Sequence, residues 1–340
     1  MPTDLTANPL TWRLLRLLSH VEARSGEQLA RALGVSRNSV WQALGAVESI
    51  GVELIRVRGG GYRLTRPIEW LDAACVREHL GAYCGSFDLH VVDAVGSTST
   101  ELMAQASAGA MDGTVLAAEF QTQGRGRRGR AWYGGVGGAL TFSVLWRFEQ
   151  GAGVLAGLAP AVGVALVRAL RVLGVADAML KWPNDVLVRY HKLAGTLVEI
   201  QGDVLGPSLA VLGIGLNCRL DSVMRQHVDQ AVIDLSSAGV SADRSRVLAA
   251  VLVHLAEVRQ VFARHGFSPL RQEWERYHAY ANRPVTLKLP DGSSQQGTVA
   301  GVDDDGCLLL QTSFGLRRFH SAEVSLRAAA LSPLRAVQRR

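Results

Sequence analysis

Apolar residues recur at helical spacing near the start of the chain. In the segment LTWRLLRLLSHV, the positions Leu10, Leu14, Leu17, Leu18 and Val21 share one stripe. This spacing predicts a first helix, because residues three and four apart lie on the same face of a helix.

Two shorter helices are predicted next. Ser25 and Gly26 precede the segment EQLARAL, which stops at Gly34, and glycine is a common residue just past the end of a helix. Ser36 is a natural N-cap for a third helix, SRNSVWQALGAVESIG. Two short helices joined by a glycine-centred turn are typical of a helix-turn-helix.

The segment VELIRVRGGGYRL follows and alternates between apolar and polar residues on both sides of three glycines, which predicts a two-stranded wing. Residues 1–66 contain nine arginines and five acidic residues, or +4 of the net charge of +6. This charge favours DNA binding over the alternative, a three-helix interaction module that never touches DNA. The side chains expected to contact DNA are Arg37, Asn38, Ser39, Gln42, Arg56 and Arg58.

The next part of the chain, residues 67–275, interleaves strands with helices. The predicted strands are rich in β-branched residues: LHVVDAV, GTVLAAEFQ, ALTFSVLWRF, DVLVRY, GTLVEIQ and SLAVLGIGLN. The helices between them are predicted at ELMAQASA, 154–173 and 245–265. This order predicts a mixed α/β domain with one large sheet.

The last part changes character again. Residues 282–327 form short alternating segments with Asp-Gly turns at Asp291-Gly292 and Asp305-Gly306, which are strong hairpin signals. A small β-barrel is therefore expected over 276–330, followed by a basic tail at 331–340.

Composition indicates a cytoplasmic protein with no membrane segment. The apolar run at 151–167 stops at Arg168 and falls short of a membrane span, so a buried core helix is expected there. The chain opens without the basic and apolar regions of a signal peptide. Its four cysteines form no CxxC pair and no metal-ligand spacing, which indicates reduced thiols and no structural zinc.

Lysine is rare and clustered. Only three of the 36 basic residues are lysines, and two of them, Lys181 and Lys192, lie in LKWPNDVLVRYHKLAG. A lysine is a compact charge that can approach a single phosphoryl or carboxylate oxygen. Both amines are expected at strand ends, where open α/β sheets bind ligands, although chance could also account for so few lysines.

The segment GRGRRGR, residues 124–130, lies between two predicted core strands. Backbone N–H groups and guanidinium groups in such a loop can surround an anion, and Trp132 and Tyr133 follow with aromatic faces. We therefore interpret it as an anion-binding loop and not as a disordered nucleic-acid-binding tract. Its GxGxxG spacing lacks the surroundings of a dinucleotide fingerprint.

Four segments in this order, GRGRRGRAW, KWPNDVLV, HKLAGTLVEI and GIGLN, closely resemble the bifunctional biotin–protein ligase/biotin operon repressor family of bacteria. The resemblance covers residues 10–327. It implies an α+β multidomain fold with an N-terminal winged helix-turn-helix, a central mixed α/β sheet of the biotin/lipoate ligase (class II synthetase-like) type, and a C-terminal SH3-like β-barrel.

The resemblance also implies an activity. The family activates biotin with ATP and Mg²⁺ to biotinyl-5′-AMP, and passes biotin to a lysine of the biotin carboxyl carrier protein of acetyl-CoA carboxylase. Its adenylate-bound form dimerises and represses biotin-synthesis genes on operator DNA, so that the intermediate is also the corepressor. Mg²⁺ is expected on the ATP phosphates, and no protein ligand is assigned to it.

Site residues carry over by position. Lys192 matches the family's essential lysine and Arg127 lies in its biotin and phosphate loop. Together with Lys181, which is a suitable cation by its own chemistry, they are the expected catalytic residues and would offset charge where two anions meet. Biotin or adenylate contacts are implied for Ser97, Thr98, Ser99, Gln121, Arg125, Gly126, Arg127, Lys192 and Gly195. The nucleotide side is implied for Arg128, Trp132, Asn184, Asp185 and Asn217.

Three of these residues need comment. Trp132 would stack on adenine. Asp185 could orient Lys181, help to hold Mg²⁺ or cap a turn. Ser99 stands where the family often has asparagine, so a contact there would be shorter or water-mediated.

Three other hypotheses remain at this point. The chain could be a transcription factor that senses a small molecule without ligase activity, although a sensor has no need of the lysines and the arginine loop. It could be a lipoate or octanoate ligase, or a biotin ligase whose helix-turn-helix does not repress.

Overall fold

The computed structural model describes residues 9–45, 47–220, 230–240, 243–289 and 292–320, and the backbone of 325–328. The predicted basic tail at 331–340 lies outside these residues, as does Asp291 of the first Asp-Gly turn. Within the described part of the chain, no helix is long and apolar enough to cross a membrane.

The N-terminal module contains three helices and a hairpin, as predicted: α1 (Pro9–Leu17), α2 (Gly26–Leu33), α3 (Arg37–Gly45), β1 (Leu54–Val57) and β2 (Gly61–Leu64). Ser25 caps α2 in a capping box with Gln28, which confirms the predicted start. Gly34 ends α2 with a φ of 66°, a conformation that costs glycine little.

Two predicted helices are shorter than expected. α1 ends at Leu17, and Val21 is 70% exposed, so Val21 was wrongly placed on the buried stripe. The hydroxyl of Ser19 accepts hydrogen bonds from the backbone beyond the helix, which favours a turn there. α3 ends at Gly45 instead of running on to Gly51, because glycine is a poor helix former, and a separate short 3₁₀ turn follows at Val47–Ile50.

The central sheet has seven strands in the order β3-β4-β5-β9-β8-β7-β6, and only β3 and β4 run parallel. This confirms the predicted mixed domain with one large sheet. The strands are β3 (Asp88–Val95), β4 (Thr114–Gln121), β5 (Ala139–Phe148), β6 (Ala178–Lys181), β7 (Asp185–Val188), β8 (His191–Gly202) and β9 (Ser208–Asn217). The short β6 agrees with the strand end expected at Lys181, and pairing with β7 makes a strand of its residues AMLK although their own strand propensity is low.

Helices cover both faces of this sheet. They are α4 (Ala73–Leu80), α5 (Thr98–Ser107), α6 (Leu158–Val172), α7 (Arg244–His265) and α8 (Ser268–Tyr277). α4 and α8 were not predicted, and α8 runs two residues past the expected boundary at 275. α4, α6 and α7 share one large core, while α5 packs on the opposite face.

Successive residues of β5 and β9 point alternately to the two faces of the sheet. The even-numbered residues of β5, such as Phe142 and Val144, face the core under α6 and α7. The odd-numbered residues include Thr141 and Ser143 on β5, and Gly213 and Gly215 on β9. These small residues leave room beside α5 for a cavity.

The C-terminal part is a five-stranded antiparallel sheet in the order β13-β12-β11-β10-β14. Its strands are β10 (Pro284–Lys288), β11 (Ser294–Val302), β12 (Leu308–Thr312), β13 (Gly315–Phe319) and β14 (Ser325–Ala328). The predicted turn at Asp305-Gly306 joins β11 to β12, and Gly306 has a φ of 72°.

A buried ion pair anchors the segment that follows the N-terminal module. Arg244 and Glu119 are 1% and 2% exposed and form a salt bridge. Arg244 also donates to the carbonyl oxygens of Glu69 and Ala139, and Glu119 accepts a 2.7 Å hydrogen bond from the backbone of Leu71. The linker is therefore attached to the strands β4 and β5.

The N-terminal module and the central domain also share a core. Val136, which precedes β5, is buried among the apolar residues of the first module, and its backbone N–H donates to the carbonyl of Ile50 at 3.2 Å. An exposed ion pair between Arg16 and Asp93 lies at the same junction.

Candidate active site

A cavity of about 520 Å³ opens on the face of the sheet that α5 occupies. This volume is in the range of small-molecule sites. The lining includes every residue that the sequence suggested for the catalytic, biotin and nucleotide roles: Ser97, Thr98, Ser99, Gln121, Arg125, Gly126, Arg127, Arg128, Trp132, Lys181, Asn184, Asp185, Lys192, Gly195 and Asn217.

The glycine- and arginine-rich loop is an ordered connection between β4 and β5, where the sequence placed it. The backbone N–H of Gly126 donates to the carbonyl of Arg130 at 2.7 Å, and that of Trp132 donates to Gly124 at 2.8 Å. A Cβ at Gly124 would lie 2.5 Å from the Trp132 carbonyl oxygen, so only glycine fits there. The loop is thus folded back on itself beside the cavity.

Lys192 is held in place by a carboxylate. The distance between Lys192 Nζ and Asp185 Oδ1 is 2.7 Å, and each side chain is about 15% exposed. The ammonium also lies 5.6 Å from the centre of the Trp132 ring, close enough for a cation–π interaction. The charge on Lys192 is therefore fixed in position before any substrate arrives.

Gly195 makes room for this pair. It lies opposite Asp185 in the β7–β8 ladder, and a Cβ at Gly195 would lie 2.9 Å from Lys192 Cε. Asn184 anchors the neighbouring turn, since its Nδ2 donates to the carbonyl of Thr196 at 2.5 Å. Both residues act on the arrangement of Lys192 and Asp185 as well as lining the cavity.

Asp185 is the one acidic side chain among the described residues that line the cavity. The structure shows a further role for it that the sequence did not suggest, because its carboxylate binds Lys192. Within the described residues, no group of three His, Cys, Asp or Glu side chains could hold a metal ion.

Arg127 lies partly buried between the loop and the turn before β7. Its Nη1 is 3.3 Å from Asn184 Oδ1. Burial, and then the charge of Arg128, lower the pKa of Arg127 from its ordinary value. Burial disfavours the charged form of this guanidinium, and a nearby anion favours it again. The surroundings of Arg127 therefore suit an anion.

Arg125 is engaged on the other side of the loop. Its guanidinium donates to Thr100 Oγ1 at 2.9 Å and to Glu199 Oε1 at 2.8 Å. Sequence reasoning missed Glu199, which lies in the quoted segment HKLAGTLVEI. The pairing of Glu199 with Arg125 could not be recognised without the register of β8.

The cavity lining also contains a group of uncharged polar side chains. The backbone N–H and the hydroxyl of Thr98 both donate to Gln121 Oε1, at 2.7 and 3.1 Å. The hydroxyls of Thr98 and Ser99 lie 2.8 and 3.0 Å from Ser143 Oγ. Ser97 begins α5 and accepts from its first turn. Ser143 was missed, and the period-two alternation of ALTFSVLWRF could have found it.

Trp132 lies flat against the sheet. A Cβ at Gly215 would lie 2.3 Å from its indole carbons, so the ring occupies the space that this glycine leaves. The indole Nε1 is buried without a hydrogen-bond partner among the described residues. Gly213 and Gly215 were missed as site residues, although glycines inside a strand often mark a close approach.

Asn217 is the last residue of β9 and links it to neighbouring segments. Its Nδ2 donates to the carbonyl oxygens of Lys192 and Ile233, at 3.3 and 3.1 Å. Lys181 ends β6 at the rim of the cavity and pairs with Asp185 in the strand ladder.

A second groove of about 720 Å³ lies between α3 and the β1–β2 hairpin. Among the residues predicted to contact DNA, Arg37, Asn38 and Arg56 line this groove. Ser39, Gln42 and Arg58 do not, and Ser39 Oγ lies 2.8 Å from Ser36 Oγ. The structure therefore brings half of the predicted set together.

Family models match all three parts of the chain. They are an HTH domain at residues 13–63, the biotin/lipoate A/B protein ligase family at 92–217, and the biotin protein ligase C terminal domain at 280–327.

Similar proteins agree with this division. The bifunctional ligase/repressor BirA of Escherichia coli is 34% identical over 322 residues, which cover 95% of this chain and 98% of that protein. A biotin–[acetyl-CoA-carboxylase] ligase of Mycobacterium tuberculosis is 36% identical, with 71% of this chain and 90% of that one covered. Among solved structures, the biotin protein ligase of Aquifex aeolicus in complex with biotin and ATP has a TM-score of 0.61 at 28% identity, covering 71% and 99%. The chain belongs to the family of bifunctional biotin ligase/repressors.

Proposed function

We propose that the cavity activates biotin with ATP and then transfers it to a lysine of the biotin carboxyl carrier protein of acetyl-CoA carboxylase. One observation carries this proposal: the cations Lys192, Arg127 and Lys181 line the same cavity as a group of uncharged polar side chains, those of Ser97, Thr98, Ser99 and Gln121. Such a cavity suits a ligand with a neutral hydrogen-bonding head and an anionic tail that meets a second anion.

In the first step, a carboxylate oxygen of biotin attacks the α-phosphorus of ATP. A P–O bond forms, the bond from the α-phosphorus to the β-phosphate oxygen breaks, and pyrophosphate leaves. Two anions must approach each other, so fixed positive charge lowers the barrier most. Lys192, oriented by Asp185, and Arg127, beside Asn184, would supply this charge.

In the second step, the ε-amine of the acceptor lysine attacks the acyl carbon of biotinyl-5′-AMP. The C–N bond forms, the C–O bond to AMP breaks, and the amine releases a proton to solvent. Positioning is the main contribution that the protein can make here. Lys192 also stabilises the charge on the departing phosphate.

The uncharged polar side chains would bind the ureido head of biotin. A ureido group has one carbonyl acceptor and two N–H donors, which match the hydroxyls of Thr98 and Ser99 and the amide of Gln121. Ser143 holds both hydroxyls and supports a contact at Ser99. Elsewhere in the cavity, Trp132 would stack on adenine, with Arg128 and Asn217 nearby.

Mg²⁺ that arrives with ATP would neutralise the pyrophosphate. The phosphate oxygens would hold it, and Asp185 is the cavity carboxylate that could share it.

We further propose that the β1–β2 hairpin is a wing and that α3 enters the major groove of operator DNA. The adenylate-bound form would dimerise and repress biotin-synthesis genes. Functional boundaries are proposed at residues 66 and 275, with 276–330 as an SH3-like barrel. The four free cysteines agree with a cytoplasmic location.

A single set of samples tests the two activities. The purified chain is incubated with biotin and MgATP, and pyrophosphate release, carrier biotinylation and retardation of its own upstream DNA are measured together. We expect all three, and sedimentation should show a dimer that depends on biotin. Turnover with lipoate instead of biotin would overturn the substrate assignment, and retardation without pyrophosphate release would indicate a sensor.

A further inference from the structure

Trp41 is exposed on α3, against the usual behaviour of tryptophan in this chain. Its side chain is 61% exposed, whereas four other tryptophans are 2% exposed or less: Trp12, Trp146, Trp182 and Trp274. An indole carries a large apolar area, which is normally placed in a core or an interface. Its exposure on a helix expected to bind DNA therefore points to a partner.

The position of Trp41 on α3 is well defined. The buried face of this helix consists of Val40, Ala43 and Leu44. Trp41 lies on the other face, three and four residues after Asn38 and Arg37, and residues at this spacing are neighbours on a helix surface.

Across the groove, the hairpin presents a matching surface. Arg56 and Val57 of β1 and Tyr62 of β2 line the groove together with Trp41. Val57 is 38% exposed, so the apolar strip continues from the helix to the hairpin. No acidic residue is among the described residues that line this groove.

This surface fits duplex DNA better than it fits a protein. The module carries nine arginines against five acidic residues, and Arg37 and Arg56 lie on either side of the apolar strip. Phosphates would meet the arginines, while the floor of the major groove would meet the indole. The only strongly apolar group on that floor is the C5-methyl of thymine.

We propose that Trp41 is a specificity-determining residue that reads thymine through its C5-methyl group. This inference rests on the proposed DNA binding and adds to it the kind of base that the site requires. An indole in van der Waals contact with the methyl group excludes cytosine, which lacks the methyl and presents an amino group there. Asn38, one turn earlier, is placed to hydrogen-bond a neighbouring base.

The experiment uses the full chain with biotin and MgATP. Duplexes that it retains from a random library are sequenced, and a retained duplex is resynthesised with uracil in place of each thymine in turn. We expect one or two positions at which loss of the methyl weakens binding by about fourfold, the effect of exposing one buried methyl group. Trp41→Ala should abolish this difference between thymine and uracil, and Trp41→Phe should preserve part of it.

Arg58→Ala is the matched control, because it should weaken binding to both duplexes equally. Thermal unfolding of Trp41→Ala verifies that the exposed substitution leaves the fold intact. If Trp41→Ala still distinguishes thymine from uracil as the natural chain does, the inference is wrong and the proposed DNA binding stands. If no duplex is retained, the proposed DNA binding fails, and the inference fails with it.

Discussion

The cavity and the groove between α3 and the β1–β2 hairpin, which we propose binds DNA, use positive charge in opposite ways. In the cavity, Lys192 is bound to Asp185 and mostly buried, and Arg125 is bound to Glu199. In the groove, Arg37 and Arg56 are exposed. An enzyme gains by fixing charges before the substrate arrives, whereas a DNA reader leaves them for phosphates to neutralise.

Because of this difference, the burial of a charged side chain should decide how strongly its removal affects stability or activity. The effect should decrease from a fully buried ion pair to an exposed side chain.

The largest effect is expected at the buried pair Arg244–Glu119. Arg244→Met leaves Glu119 without its partner inside the protein, so it should lower the free energy of unfolding by about 3–5 kcal/mol. Urea denaturation measures this. The exposed pair at the same junction is the control: Arg16→Ala should cost less than about 1 kcal/mol. Equal losses of unfolding free energy in the two variants would contradict the expectation that a buried ion pair matters more for stability than an exposed one.

Lys192→Ala should come next, with an effect on activity and not on the fold. We expect biotin-dependent pyrophosphate release to fall by at least about 10²–10³-fold, the usual loss when one donor to a developing charge is removed. Lys288→Ala, on the exposed surface of β10, is the control and should match the natural chain. Normal pyrophosphate release by Lys192→Ala would overturn the proposed function.

The buried His278 should give the chain a pH-dependent stability. Burial lowers the pKa of His278 to about 3, from an unfolded value near 6.5. Below pH 6.5 the unfolded chain binds a proton that the folded chain does not, so stability is lost as the pH falls towards 3. The loss at pH 5 should be about 2 kcal/mol relative to pH 8.

Urea titrations of His278→Phe at several pH values test this expectation, since the difference from the natural chain should shrink with rising pH. His265→Gln, in which an exposed histidine is replaced, should retain the natural pH profile. If the stability of His278→Phe depends on pH in the same way as that of the natural chain, the buried imidazole of His278 is not the cause of the pH dependence.

The smallest effect is expected in the turn of the β1–β2 hairpin. Arg58→Ala should reduce the salt dependence of DNA binding by about one unit of slope if the side chain contacts one phosphate. Gel retardation over a range of salt concentrations measures the slope. An unchanged slope would show that Arg58 does not contact a phosphate.

Much of the fold could be predicted because local residues decide it. Ser25 and Gly34 mark the ends of α2 by their own hydrogen bonding and backbone freedom. The long strands could be recognised because they are rich in β-branched residues and partly alternate. β6, by contrast, depends on its pairing with β7, and nothing in its own four residues favours a strand.

The sequence was enough to predict many of the residues that line the cavity. It did not predict which of these residues form hydrogen bonds or ion pairs with one another. The bulge between Val186 and Leu187 shifts the register so that Asp185 lies opposite Gly195, within reach of Lys192. A shift of one residue turns side chains to the other face, and sequence alone gives no sign of it. For the same reason, the partners of Arg125 and Arg244 could be found only in the structure.

The position of Val136 limits how the chain could be re-engineered. Because this residue of the central domain completes the apolar interior of the first module, cutting the chain at residue 66 would expose an apolar surface on both fragments. The surface would lie next to the loop that carries Arg125 and Arg127. A designer who wants a free-standing ligase would have to replace Val136 with a polar residue and resurface its neighbours. Otherwise the shortened enzyme would be prone to aggregate.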